Sequence, residues 1–414
     1  MNSMKITTIL KFVFNIEKIE FLIPFLLLII YGPGLIIAYF RIGLISEVCE
    51  FFLLMSLSLF TYFIVYRILK KIIRKKLAVV SGFSIIDMSK FFFILYFIFI
   101  LYVTLTAPAI PLIQSFMGAS SSDLSNYREL FLKARTGLEG LLVYINAIFT
   151  VAILPFITAS LYVVRYKYRH VYLLFFVFTL FLSMEKSLIA RALLPLLVLL
   201  FNGYVKDKYV TLKRILLFAV MGLFLVTFLS LGNLTKDETI LISELVESDP
   251  NAARYYIVSN PDNVFMFLFN RIFWIPYMTA IDWLSFFNVV LHRELVMGAS
   301  SSLFSFLFGV ERINLERLVF EFEWGQNESG TGSANTVYFV DIFLNFGWIG
   351  VILANALLAC IVRFFVFCDN YVAKASFYVY AYFLVTSTII GVLFSSGLLV
   401  LMTLILFTKN NYAK

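Results

Sequence analysis

Apolar runs recur along this chain, most of them near the ~20 residues that cross a bilayer core of about 30 Å as a helix. They cover residues 21–40, 51–68, 91–108, 141–163, 171–184, 187–203, 215–232, 336–361, 375–390 and 392–408. The fifth and sixth are short and are joined by the tight turn Met184-Glu185-Lys186-Ser187. The pattern predicts an all-α, polytopic helical bundle of about ten spans, forming a single membrane domain over 1–414. An even number of crossings puts both termini on the same side.

Two polar stretches interrupt the runs, a first long loop at 109–140 and a much larger one at 233–335. The larger loop has polar ends around an apolar centre, 264–291, which contains Arg271, Pro276 and Asp282. That centre is long enough to cross. Crossing would put the acidic 311–328 segment on the side of the basic loops, so the reading is interfacial or re-entrant helices capping the bundle.

Charge supplies the orientation. The clusters Lys70–Lys71–Arg74–Lys75–Lys76, Arg165–Lys167–Arg169 and Lys206–Lys208–Lys213–Arg214 fall on one side of the runs. The positive-inside rule makes that side cytoplasmic. On this topology 21 Lys+Arg and 5 Asp+Glu lie inside against 12 and 20 outside, about +16 and about −8, matching the formal +8. At 62% hydrophobic and 14% charged, with mean hydropathy +0.94, the chain falls outside the range of a soluble domain. Its basic residues sit beside spans, where anionic lipid attracts them, so they do not indicate nucleic acid. The first apolar run is too long for a cleavable signal peptide and lacks a small-residue cleavage site. Cys49 is alone outside, and Cys360 and Cys368 lie near the inner face, so no disulfide framework is expected.

The outer side is net acidic, so each cation there needs a reason. Arg128, Arg135 and Glu139 fall at i, i+7 and i+11 and would share one face of a helix. Such a face could grip a diphosphate with planar guanidinium forks, or it could be a solvated face in which Glu139 pairs Arg135. Lys186 and Arg191 open the sixth run, Arg271 is set among Phe, Ile and Trp, and Arg293 follows His292. An ionisable group inside an apolar run is costly and commonly functional. The candidate proton acceptors are His292, Asp282 and Asp341. Tyr338, Asp341 and Asn345 form a polar stripe entering the eighth run, which interhelical hydrogen bonding would also explain. The motif MGASSS occurs twice, at 117–122 and 297–302, and reads as a small-residue turn whose serines cap a following helix. With only two histidines and no CxxC, HExxH or phosphate-binding glycine loop, no metal or other cofactor is expected.

The layout resembles the Wzy-type oligosaccharide repeat-unit polymerases of bacterial O-antigen and capsule assembly. The shared features are an Arg-bearing first outer loop, a larger late outer loop, and a basic turn Glu185-Lys186-Ser187. The late loop runs into a span with Asn335, Phe339, Phe346, Gly347 and Gly350. The related O-antigen ligases typically read His-Asn where this chain has Ala334-Asn335. The resemblance implies a membrane glycosyltransferase C-like fold in the bacterial cytoplasmic (inner) membrane, with both termini cytoplasmic. It implies an inverting, metal-independent transfer of the nascent glycan from undecaprenyl diphosphate to a lipid-linked acceptor repeat unit on the periplasmic face. Its partners would be that lipid-linked oligosaccharide and the surrounding membrane lipids, with a chain-length regulator and a flippase alongside. Arg128, Arg135, Lys186, Arg191, Arg271 and Arg293 would hold the diphosphate. His292, Asp282 or Asp341 would take the acceptor proton. Tyr127, Trp274, Tyr277, Asn335 and Tyr338 would contact the glycan. A lipid-linked oligosaccharide flippase or an O-antigen ligase are the alternatives, although spans show no internal repeat of the kind many transporters carry.

Overall fold

A computed structural model describes residues 14–41, 45–73, 82–217, 221, 269–325, 333–368 and 370–408. Most of the seventh apolar run and much of the large loop lie outside these residues. Helices α1 (Leu22–Arg41), α2 (Ser46–Ile72) and α3 (Ile85–Thr106) come first. The first long loop folds as α4 (Pro111–Phe116) and α5 (Ser121–Arg128). Next come α6 (Leu142–Ala147), α7 (Leu154–Val163), α8 (Arg169–Leu182) and α9 (Lys186–Phe201). After the large loop follow α10 (Ile275–Val289), α11 (Ser302–Phe308) and α12 (Leu315–Trp324). The chain closes with α13 (Tyr338–Phe367), α14 (Tyr371–Thr386) and α15 (Leu398–Phe407). Among the described residues no strand forms, and five helical segments are long and apolar enough to cross a membrane. They are Ile16–Phe40, Ser46–Ile72, Ile85–Thr106, Gly137–Val163 and Tyr338–Phe367. The molecule is a helical membrane protein.

The most extensive packing is α13 against α2, followed by α9 against α14 and α7. Tyr31 on α1 donates to the Val385 carbonyl on α14 at 2.7 Å, fixing those two helices at one height. On α3 the outward residues Phe91, Ile94, Phe97, Ile98, Leu101 and Leu105 are exposed, giving the bundle a broad apolar face suited to lipid.

Two expectations change here. From residue 269 on, the 264–291 centre is packed inside the bundle and does not lie along its surface as an interfacial helix would. Its described part is a π-turn (Asn270–Trp274) running into α10, and α10 is buried against α1, α2 and α13. Its approach depends on Gly34, where a Cβ would stand 2.5 Å from the Tyr277 ring. The 128–139 segment is also not one helix. α5 ends at Arg128, a π-turn covers Glu129–Lys133, and Gly137 at φ +62° starts a separate 3-10 turn. Arg128 and Arg135 therefore share no helix face.

One helix break matters for the site. At Gly347 in α13 the backbone adopts φ 63°, ψ −159°, a region open to glycine almost alone. The break frees carbonyls that a continuous helix would have used. The Val296 amide bonds Leu344 O at 3.0 Å and the Met297 amide bonds Asn345 O at 3.1 Å. The N-terminal part of α13 is thus finished by the loop that follows α10.

Candidate functional site

Two cavities lie side by side where α9, α10, α12, α13 and α14 meet, and the wall between them is built from short connecting segments. The non-helical stretch before α13 is pinned by three hydrogen bonds. The Ala334 amide donates to Glu316 O at 2.9 Å, and Trp283 Nε1 donates to Ala334 O at 3.0 Å. Ser333 Oγ donates to Glu316 Oε2 at 3.0 Å. At the other end, α14 stops at Thr386 and the chain runs unwound through Ser387 and Thr388. Non-helical backbone at membrane depth is tolerated where it lines a cavity. Ser387 faces one cavity and Thr388 the other.

The first cavity, about 440 Å³, is cationic. Arg191 enters it from α9 and Arg271 from the π-turn before α10, with Asn335, Thr279, Ser387 and Glu323 around them. The Arg191 guanidinium stacks over Phe383 at 4.5 Å, which orients its fork and shields it on one side. Two guanidiniums from elements distant in sequence therefore open on one space beside hydroxyl and amide groups. That arrangement suits an anion with several oxygens.

The second cavity, about 510 Å³, is lined by Asp341, Glu316 and Arg312 with serines 300–302, Asn345, Thr388, Tyr144 and Trp283. Asp341 is only 3% exposed. Ser300 Oγ lies 3.3 Å from Asp341 Oδ1, and Asn345 Nδ2 donates to that same oxygen at 3.2 Å. Asn345 is held in turn by the Gly298 amide, which donates to its Oδ1 at 3.1 Å. Burial pushes the Glu316 carboxyl above the usual carboxylate range, against the lowering effect of Ser333 and Arg312.

Of the residues singled out from sequence, Arg191, Arg271 and Asn335 share the cationic cavity, and Asp341 lines the other. The remaining residues lie elsewhere. Arg135 is tied down by Phe131 O, Thr106 Oγ1, Val103 O and Glu139, the last being the pairing that a solvated face would also give. Arg128 is half-buried beside Glu185, outside both cavities, and burial lowers its pKa. Tyr127 precedes it on α5, and Glu185 pairs with Lys133 at 3.5 Å. The Lys186 side chain lies outside the described set. Arg293 bonds Glu50 of α2, and His292 is exposed on the turn after α10 at φ 47°. Asp282 is buried within α10, away from either cavity.

Three aromatics expected to meet sugar are core residues instead. Trp274 and Tyr277 are fully buried, with Tyr277 edge-on to Phe51 at 5.3 Å. Tyr338 is buried and donates to Asn355 Oδ1 at 2.7 Å.

The sequence reading passed over Ser300, Glu316, Arg312, Glu323, Thr388 and Phe383. One signal was available: Thr386-Ser387-Thr388 is a polar break inside an otherwise apolar stretch. A second was the MGASSS repeat. Its first copy behaves as a turn and cap, with Ser120 Oγ accepting from the Asp123 amide at 3.1 Å. In the second copy Ser301 caps nothing with its side chain, and Ser300 turns to Asp341. Comparisons with family models, with characterised proteins and with solved structures found no match to this chain.

Proposed function

We propose that this chain is a Wzy-type repeat-unit polymerase of the bacterial inner membrane. It would transfer a nascent glycan from undecaprenyl diphosphate to a lipid-linked repeat unit on the periplasmic face, with both termini in the cytoplasm. The observation that carries the reading is the cationic cavity, in which Arg191 and Arg271 converge beside Asn335 within an apolar bundle. A diphosphate already bonded to the anomeric carbon is a good leaving group. Catalysis then needs mainly donors aimed at the oxygens where charge develops as the C–O bond breaks. Guanidiniums serve this role better than ammonium groups, because they fork onto two oxygens at once.

The ligase alternative loses support at Ala334. That position is 4% exposed, and both its amide and its carbonyl are engaged. A histidine there would have to fit a buried position whose carbonyl is held by the Trp283 indole N–H.

The test is the surface-glycan profile of a strain lacking the protein. Polymerase activity predicts glycan of single-repeat length on an otherwise complete anchor. Loss of all attached glycan would favour a ligase, and lipid-linked units trapped on the inner leaflet would favour a flippase.

A further inference from the structure

We infer that the second cavity is the acceptor-sugar site and that the unpartnered carboxylate oxygen of Asp341 takes the proton of the attacking hydroxyl. This rests on the polymerase reading and adds to it a site and a residue with a role.

Both protein contacts to the Asp341 carboxylate fall on Oδ1, from Ser300 and Asn345. Oδ2 has no hydrogen-bond partner among the described residues, although the residue is 97% buried and lines a cavity of about 510 Å³. A buried carboxylate with one oxygen held and the other open is oriented to accept a proton from whatever enters. The cavity wall offers the mixture that a polyhydroxylated ring needs. Serine hydroxyls, Glu316, Arg312 and Thr388 supply donors and acceptors, and Tyr144 and Trp283 supply apolar faces. A purely apolar guest would leave these groups unpaired, which costs about 1–3 kcal/mol each.

The location fits as well. Ser333 lines the cationic cavity and donates to Glu316 in the other, and the adjacent Ser387 and Thr388 are divided between the two. A donor whose diphosphate fills the cationic side would present its anomeric carbon at this shared wall. The acceptor O–H then passes its proton to Asp341. Its oxygen lone pair forms the new bond to the anomeric carbon. The old C–O bond breaks with its electron pair remaining on the diphosphate, opposite Arg191 and Arg271. Atoms and charge balance without a metal or co-reactant. Ser300 and Asn345 act as positioning residues for the carboxylate.

The test uses full-length protein in nanodiscs, with lipid-linked repeat units extracted from the deletion strain as substrate and undecaprenyl diphosphate as donor-site probe. Asp341→Asn should lower chain extension at least 100-fold and leave undecaprenyl diphosphate affinity within about twofold, since the substitution keeps the shape. Asp341→Glu should recover part of the rate. Ser300→Ala should cost roughly tenfold with the probe still bound. Asp341→Asn retaining more than a tenth of wild-type turnover would overturn the assignment, as would a His292→Ala variant that is inactive beside an active Asp341→Asn. Equal loss of probe binding and turnover in both Asp341→Asn and Ser300→Ala would also overturn it, because it would mark a structural role. Wild-type protein that extends no glycan but binds the probe would instead bring down the polymerase reading itself.

Discussion

Replacing Arg191 and Arg271 together with alanine is expected to abolish polymer, and either alone should lower chain extension by about 100-fold or more. Both variants should still insert and pack. Arg271 is exposed at its turn, and Arg191 makes its described ring contact with Phe383 alone, so neither is a keystone of the bundle. The effect should fall on turnover, because charge builds on the leaving diphosphate only as the bond breaks. Lysine at either position should restore only part of the rate, since an ammonium cannot fork onto two oxygens or lie flat on Phe383. The measurement is single-turnover glycan transfer with the amount of folded protein normalised. A double variant that builds polymer of normal length would remove the cationic cavity from the chemistry.

Arg135→Ala is expected to do the reverse. The Arg135 side chain is 6% exposed and bonds two backbone carbonyls, a hydroxyl and Glu139. Those carbonyls, Val103 O and Phe131 O, sit at the end of α3 and in the π-turn, so one guanidinium fastens the first long loop to a long apolar helix. Removing it deletes one bond at each carbonyl, although Val103 O keeps the Ala107 amide at 3.0 Å, and each lost hydrogen bond costs about 0.5–1.5 kcal/mol. The variant should melt at a lower temperature, and Arg135→Lys should not restore it, because one ammonium cannot reach all four acceptors. Per folded molecule, glycan transfer should be near normal. Full thermal stability combined with lost transfer would return Arg135 to the diphosphate.

These arginines show where sequence reasoning succeeds and where it stops. The helical class and many helix positions were readable from the apolar runs, because a lipid-facing helix must be apolar along its whole length. Arg191 stood out for the same reason, as a cation inside such a run. Arg128 and Arg135 were misplaced because i, i+7 spacing presumes an unbroken helix, and the helical stretch ends at Lys133, before Arg135. Tyr277 and Trp274 were assigned to sugar contact because an aromatic in an outer loop is indistinguishable from one in a core until the packing of that loop is known. Glu316, Ser300 and Thr388 were missed for a further reason. Each is an ordinary polar residue in its own segment, and only the meeting of four segments gives it a cavity to face.

The break at Gly347 makes two remote stretches interdependent. The 296–298 loop is the hydrogen-bonding substitute for the helical turn that α13 gives up, and Asn345 and Ser300 reach the acidic cavity only because both are present. Neither piece can be exchanged alone. A chimera that imports the loop from another protein, or an insertion that lengthens it by one residue, would leave Leu344 and Asn345 with unmet carbonyls, however well the surface tolerated the change. On the proposed function donor recognition would rest on Arg191 and Arg271, which among the described residues make no such bond to the loop. Changes of acceptor preference would therefore have to come as coordinated replacements across 296–302 and 341–347, whereas the donor side could drift one residue at a time.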